Sequence, residues 1–259
     1  MLEEYEQTVI ELREAFVEVC KSVFAESLVA IITKGSTVKG GFIPGLSDVD
    51  LHVYLKDDAF IYSDFLKLEF GLSLQAKMDG LMGKYDLGGG PIQVMCLPVS
   101  HQRDWVGPLP GTYLLLYGDT CPDPPPTAVE MLAQDLDSLK NPVYAYKLVN
   151  SFADKSNADL ATYVRRLNTA VTPTLYRVLS LLTQAPLKTW KMTKFEVLEA
   201  LEELDDESAK RLAKPGRAFY EIAGERNRLR RDADLCRAAI QAGFEVVDGG
   251  REIGGRLTG

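Results

Sequence analysis

The sequence has only four cysteines, Cys20, Cys96, Cys121 and Cys236, and no two of them stand in a CxxC spacing. This argues against a zinc site or a disulfide framework and for a reducing compartment. No apolar run approaches the ~20 residues that a membrane-spanning helix needs. The first residues, Leu2-Glu3-Glu4-Tyr5-Glu6, are acidic where a secretory leader would be basic. A cytoplasmic protein with no membrane partner is therefore expected. Positive charge is also in deficit, 29 Lys and Arg against 37 Asp and Glu, for a net charge of −8 and a pI near 5.0. A broad basic surface for nucleic acid is not expected, and neutral or cationic small substrates fit better. Internal repeats and long low-complexity tracts are absent. Apolar residues are plentiful: 46% of the 259 residues are hydrophobic, ample for a buried core in one large or two small domains.

Periodicity assigns the elements. Residues 2–24 carry Leu2, Tyr5, Val9, Leu12, Phe16, Val19, Cys20 and Val23 at three- and four-residue spacing, the stripe of an amphipathic helix. Ser27-Leu28-Val29-Ala30-Ile31-Ile32 reads as a short buried strand. In Asp48-Val49-Asp50-Leu51-His52-Val53-Tyr54 polar and apolar residues alternate, so a half-buried strand is expected with Asp48, Asp50 and His52 on one face. Asp57-Asp58 is expected to cap one or two helices over 59–84, with Gly88-Gly89-Gly90-Pro91 ending them. Ile92-Gln93-Val94-Met95-Cys96-Leu97 predicts a third strand. Residues 99–127 read as loop, with Tyr113-Leu114-Leu115-Leu116-Tyr117 an apolar island and Pro122-Asp123-Pro124-Pro125-Pro126 a semi-rigid linker. Beyond the linker strand signals nearly vanish. Segments 128–153, 157–184, 193–204 and 206–242 read as helices, with Pro142, Pro173, Pro186 and Pro215 at or near their ends. The expected organisation is an α/β (α+β) domain with a small mixed sheet over 1–122, an all-α helical bundle over 127–248, and a glycine-rich flexible tail over 249–259.

The chemistry concentrates between Lys34 and Val53. Gly35 permits a tight turn with close backbone approach to a ligand, and Ser36 then offers a hydroxyl and an N–H to an anion. Asp48 and Asp50 are carboxylates side by side, which repel unless a cation sits between them. Such a pair facing a phosphate-sized loop suits Mg²⁺, which takes one or two carboxylates and completes its shell with substrate phosphates.

Gly-Ser, about a dozen residues, then Asp-x-Asp among apolar residues: this order resembles the nucleotidyltransferase signature of the DNA polymerase β superfamily. With a helical domain following the sheet domain, most of the chain is similar to the aminoglycoside adenylyltransferases of the streptomycin/spectinomycin type. The resemblance implies an N-terminal nucleotidyltransferase domain that transfers AMP from ATP·Mg²⁺ to a hydroxyl of a small molecule, an aminoglycoside-like antibiotic among the candidates. It implies an ATP site between the domains, with Gly35, Ser36 and Ser47 at the phosphates, Asp48 and Asp50 as metal ligands, and Arg177 and Lys194 neutralising the triphosphate from the helical side. Tyr220 is the residue it offers for contact with the nucleotide.

The sequence departs from that family in two places. The third carboxylate that such enzymes carry on the next strand is replaced by Gln93, and an amide neither adds charge at a metal nor acts as a general base near neutral pH. Asp86 and His52 are the substitutes within reach in sequence. About ten residues before Arg177, where an aspartate for a cationic sugar is expected, stand Leu167 and Asn168, with Asp104-Trp105 and Asp135-x-Asp137 as replacements. The alternative reading is a catalytically weakened nucleotide-binding or regulatory protein, like the nucleotidyltransferase-like partners of toxin–antitoxin pairs. The helical half has no histidine, so the arginine-to-histidine ribonuclease motif of the usual partner is not in this chain.

Overall fold

The structure is a computed structural model that describes residues 2–62, 64–85, 92–100, 107–153 and 155–258. It is mixed α/β and mostly helical, and the chain divides into two compact units, Met1–Pro126 and Thr127–Gly259.

In the first unit, helix α1 (Leu2–Phe24) is followed by strand β1 (Leu28–Lys34), a single helical turn α2 (Ser36–Lys39) and strand β2 (Val49–Leu55). A small hairpin, β3 (Phe60–Ile61) and β4 (Phe65–Leu66), precedes α3 (Leu68–Lys84). Two strands complete the unit, β5 (Ile92–Pro98) and β6 (Tyr113–Tyr117). The main sheet has the order β5-β2-β1-β6, with β1 antiparallel to β2 and β6, and β2 parallel to β5. Alternation sorts its residues onto two faces. Leu12, Phe16 and Phe24 of α1 and Leu74, Met78 and Leu81 of α3 pack with Ile31, Val49, Leu51, Val53 and Leu55 in one core. Full burial of each such side chain contributes roughly 1.5–3 kcal/mol, which holds the helices on the sheet. Ala30, Ile32, Tyr54 and Leu97 form a smaller cluster on the other face.

Two expectations are corrected here. The apolar island at 113–117 is strand β6, bounded by Gly111 and Gly118 at φ 88° and 90°. Five apolar residues without polar alternation leave no strand period to read, yet pairing with β1 satisfies their backbone. Residues 59–84 hold one helix, preceded by the β3–β4 hairpin, because Tyr62 takes a left-handed φ of 56°. Asp86, the Gly88–Pro91 run and Asp104-Trp105 lie outside the described residues.

The second unit comprises α4 (Ala128–Lys140), α5 (Val143–Phe152), α6 (Leu160–Thr183), α7 (Pro186–Thr189), α8 (Lys194–Glu203), α9 (Glu207–Gly224), α10 (Arg226–Leu229) and α11 (Ala233–Arg256). Thr127 and Thr193 open α4 and α8 with reciprocal capping boxes to Glu130 and Glu196. The long helix α6 buries Val164, Leu167, Val171, Leu175, Val178 and Leu179. Segments 128–153 and 206–242 each hold more than one helix, the former broken at Asn141-Pro142 and the latter at Glu225 and Asp232. Pro173 and Pro215 lie inside α6 and α9, where burial of their neighbours outweighs the lost backbone hydrogen bond.

The expected flexible tail is also corrected, since α11 runs to Arg256 with Ile253 and Gly254 buried. Its glycines form a contact stripe. A Cβ at Gly243 would lie 2.5 Å from Leu167 Cδ2, one at Gly250 2.3 Å from Thr174 Cγ2, and one at Gly254 3.0 Å from Leu139 Cβ. Small residues on one helix face let α11 approach α6 and α4 closely, and this packing holds the glycine-rich segment helical despite its low propensity.

Candidate functional site

The site in the first unit begins where β1 ends. Lys34 closes the strand, Gly35 takes φ 82° and ψ −153°, and the amides of Val38 and Lys39 both donate to Gly35 O at 3.0 Å to close the following turn. Glycine is required twice at this position. Its φ lies where side chains are disfavoured, and a Cβ would stand 2.8 Å from Asp50 Oδ2. The turn thus lies against the Asp50 carboxylate. Arg13 of α1, itself buried, donates from Nη2 to Thr37 O at 2.9 Å and anchors the turn from behind.

The ladder places the neighbours of Asp50. Lys34 stands across from it on β1, Gln93 beside it on β5, and Tyr113 beyond Lys34 on β6. Residues opposed in this way share a face, so Tyr113, Lys34, Asp50 and Gln93 form one row across the sheet. The next row is Leu115, Ile32, His52 and Met95, and Ala30, Tyr54 and Leu97 follow. Gln93 therefore does stand next to Asp50, and its side is exposed. Asp48 immediately precedes β2, and His52 is buried with its ring edge-on to Tyr54 at 6.4 Å. Ser47 is buried and braces the preceding loop: Ile43 N–H donates to Ser47 Oγ at 2.9 Å, and Ser47 N–H to Ile43 O at 2.8 Å.

Burial pushes the Asp50 carboxyl above its ordinary pKa, and the Lys34 ammonium pulls it back. Lys34 is shifted down by burial, against the pull of Asp50 and Asp123. Deeper on the same face Tyr54 OH donates to Asp123 Oδ2 at 2.7 Å, and Cys121 Sγ lies 3.6 Å from the same hydroxyl. Lys34, Arg13 and Asp123 were not legible as site residues. Arg13 does carry a signal, since it falls four residues after Val9 and three before Phe16, inside the apolar stripe of α1.

No protein-family model matches this chain, and none of the curated proteins does. Its site is therefore read from its own residues. Among the described residues no cluster of three or more His, Cys, Asp or Glu side chains is arranged to hold a metal. Among them, too, no helix is long and apolar enough to cross a membrane.

The second unit holds the other expected site residues. Arg177 on α6 lies with Nε 3.9 Å from Asp135 Oδ1, and Trp190 Nε1 donates to Asp135 Oδ2 at 3.1 Å. Asp135 is buried, not on an exposed helix start, and burial raises its pKa against its hydrogen bonds with Ser180 and Trp190 and the charge of Arg177. Asp137 is exposed and accepts from Asn141 Nδ2 at 3.2 Å, a helix-end contact. Lys194, the first residue of α8, is buried with Nζ 5.2 Å from the Tyr220 ring centroid. Tyr220 is buried as well, with its hydroxyl 2.7 Å from Thr172 Oγ1, which in turn donates to Asn168 Oδ1 at 2.8 Å. Lys194, Tyr220, Thr172 and Asn168 thus belong to one polar and aromatic cluster, and Arg177 to the neighbouring Asp135 cluster.

Proposed function

We propose that the chain is a nucleotidyltransferase that moves AMP from ATP to a hydroxyl of a small molecule. The observation that supports this reading best is the Gly35 turn lying directly against the Asp50 carboxylate, so close that a Cβ at Gly35 would stand 2.8 Å from Asp50 Oδ2. The donor set fits Mg²⁺ at its minimum: Asp48 and Asp50 supply two hard carboxylate oxygens, and phosphate and water supply the rest. When bound, the ion neutralises phosphate charge, the main requirement of phosphoryl-transfer chemistry.

The residues of the chain have distinct tasks in this reading. Gly35 and Ser36 hold the distal phosphates with backbone N–H groups and a hydroxyl, and Asp48 and Asp50 hold Mg²⁺. The acceptor hydroxyl oxygen forms a bond to the α-phosphorus and its proton passes to water, the bond to the bridging oxygen breaks, and pyrophosphate leaves. Gln93, one strand from Asp50, orients the acceptor by hydrogen bonding but takes no proton. Arg177 and Lys194, the cations expected at the triphosphate, both serve internal contacts of the second unit, with Asp135 and Tyr220. Aminoglycoside-like sugars are the proposed acceptors.

Gln93 also favours a second reading, a nucleotide-binding protein with little or no transfer activity. Pyrophosphate release separates the two. With ATP, Mg²⁺ and a panel of aminoglycosides, spectinomycin and simple hydroxylated metabolites, the enzyme reading expects release with at least one acceptor. Gln93→Glu should then raise the rate toward the ~10²-fold lower end of general-base catalysis with little change in ATP affinity. Nucleotide binding without release in either protein supports the second reading, and a glutamate that slows a fast wild type shows that Gln93 is the working residue.

A further inference from the structure

Lys34 is unexplained by the proposed chemistry. Two-carboxylate metal sites gain affinity from uncompensated negative charge, yet here an ammonium stands directly across from Asp50 in the β1–β2 ladder. Opposed residues on neighbouring strands share a face at roughly 5 Å between Cβ atoms. Gly35, the next residue, lies against Asp50 Oδ2, so the carboxylate is turned toward the end of β1 that carries Lys34. Lys34 also feels Asp123, which is fixed by the Tyr54 hydroxyl. This half-buried cation therefore stands opposite the carboxylate at the centre of the site.

We propose that Lys34 is a built-in counter-cation of Asp50 that competes with divalent metal and so sets how tightly the Asp48–Asp50 pair holds it. This rests on the assignment of Asp48 and Asp50 as the metal ligands. While Lys34 is in place, a divalent ion entering the site meets one fixed positive charge from the facing strand. Removing that charge favours the metal by about sixfold, from the Coulomb energy of a +1 and a +2 charge roughly 8 Å apart in a water-like medium. Lys34 is a positioning residue in this account, because it acts on the metal through Asp50.

The test uses Mn²⁺ alone, without nucleotide, titrated into the full chain and followed by the loss of the free-ion paramagnetic signal. Lys34→Gln and Lys34→Met remove the charge, and the latter keeps much of the aliphatic stem; Lys34→Arg keeps the charge. Both neutral variants should bind Mn²⁺ about sixfold more tightly than the wild type, the arginine variant should match the wild type, and adding Asp50→Asn should abolish the gain. Equal Mn²⁺ affinity in the wild type and whichever neutral variant folds would overturn the proposal, as would a gain that survives Asp50→Asn. ATP titrations on the same proteins keep the two ideas apart. A Lys34-dependent Mn²⁺ response with no ATP binding leaves Lys34 in its role and removes the nucleotidyltransferase reading. ATP binding with no Mn²⁺ response does the reverse.

Discussion

Replacing Gly35 with alanine probes the feature on which the site is built. At φ 82° and ψ −153° the backbone lies near a region open essentially to glycine, and holding another residue in such a region costs about 1–3 kcal/mol. The new Cβ would also stand 2.8 Å from Asp50 Oδ2, where 3.4 Å or more is ordinary contact. Turning the carboxylate away forces an unfavourable rotamer at about 0.5–1.5 kcal/mol. The sum is roughly 2–4 kcal/mol of destabilisation, and in a unit of this size it lowers the melting transition by roughly 6–16 °C. Differential scanning calorimetry measures it, with the transition of the first unit followed in the full chain. In an Asp50→Ala background the steric part disappears while the backbone part stays, so the same glycine substitution should cost less but not nothing. A fall below about 2 °C, or a penalty unchanged by Asp50→Ala, would show that the turn does not lie against the carboxylate.

Further outcomes concern the second unit. If Arg177 and Lys194 bind the triphosphate, replacing both with alanine should weaken ATP binding in calorimetry much more than adenosine binding, because only ATP carries phosphate charge; an equal loss for both ligands means that the residues act through folding, as their contacts with Asp135 and Tyr220 allow. Asp135 gives a pH dependence with a definite sign. Its folded pKa is raised, so the native state binds the proton more tightly than the unfolded chain, and its contribution to stability falls as pH rises from about 4 through the raised value. Denaturation curves at a series of pH values should show that slope in the wild type and lose it in Asp135→Asn.

Much of the first unit was legible because its strands obey simple patterns. Leu51, His52, Val53 and Tyr54 alternate between two faces, and the glycine at 35 announced a tight turn. What stayed hidden depends on tertiary partners. Tyr113–Tyr117 has no polar alternation, and only its pairing with β1 makes it a strand. Lys34 reads as the solvated end of a strand until the register sets it opposite Asp50. Arg13 sits inside the apolar stripe of its helix, but only the structure shows that it is buried and holds Thr37 O. The glycines of 249–259 suggested flexibility, because a sequence does not display the leucines and the threonine that occupy the space a Cβ would need at Gly249, Gly250 and Gly254. Asp135 was offered as a carboxylate for a cationic sugar, yet it is buried against Trp190 and Arg177, more than forty residues away in sequence.

The central claim is that Asp50 and the Gly35 turn form a Mg²⁺-dependent nucleotide site. Isothermal titration of ATP into the wild type and into Asp50→Asn, each with Mg²⁺ and with EDTA, tests it directly, with circular dichroism confirming that the variant folds. The account predicts that ATP binds the wild type more tightly when Mg²⁺ is present and that Asp50→Asn removes the Mg²⁺-dependent part of the affinity. Undiminished Mg²⁺-dependent binding by the variant, or no ATP binding by the wild type, would contradict it.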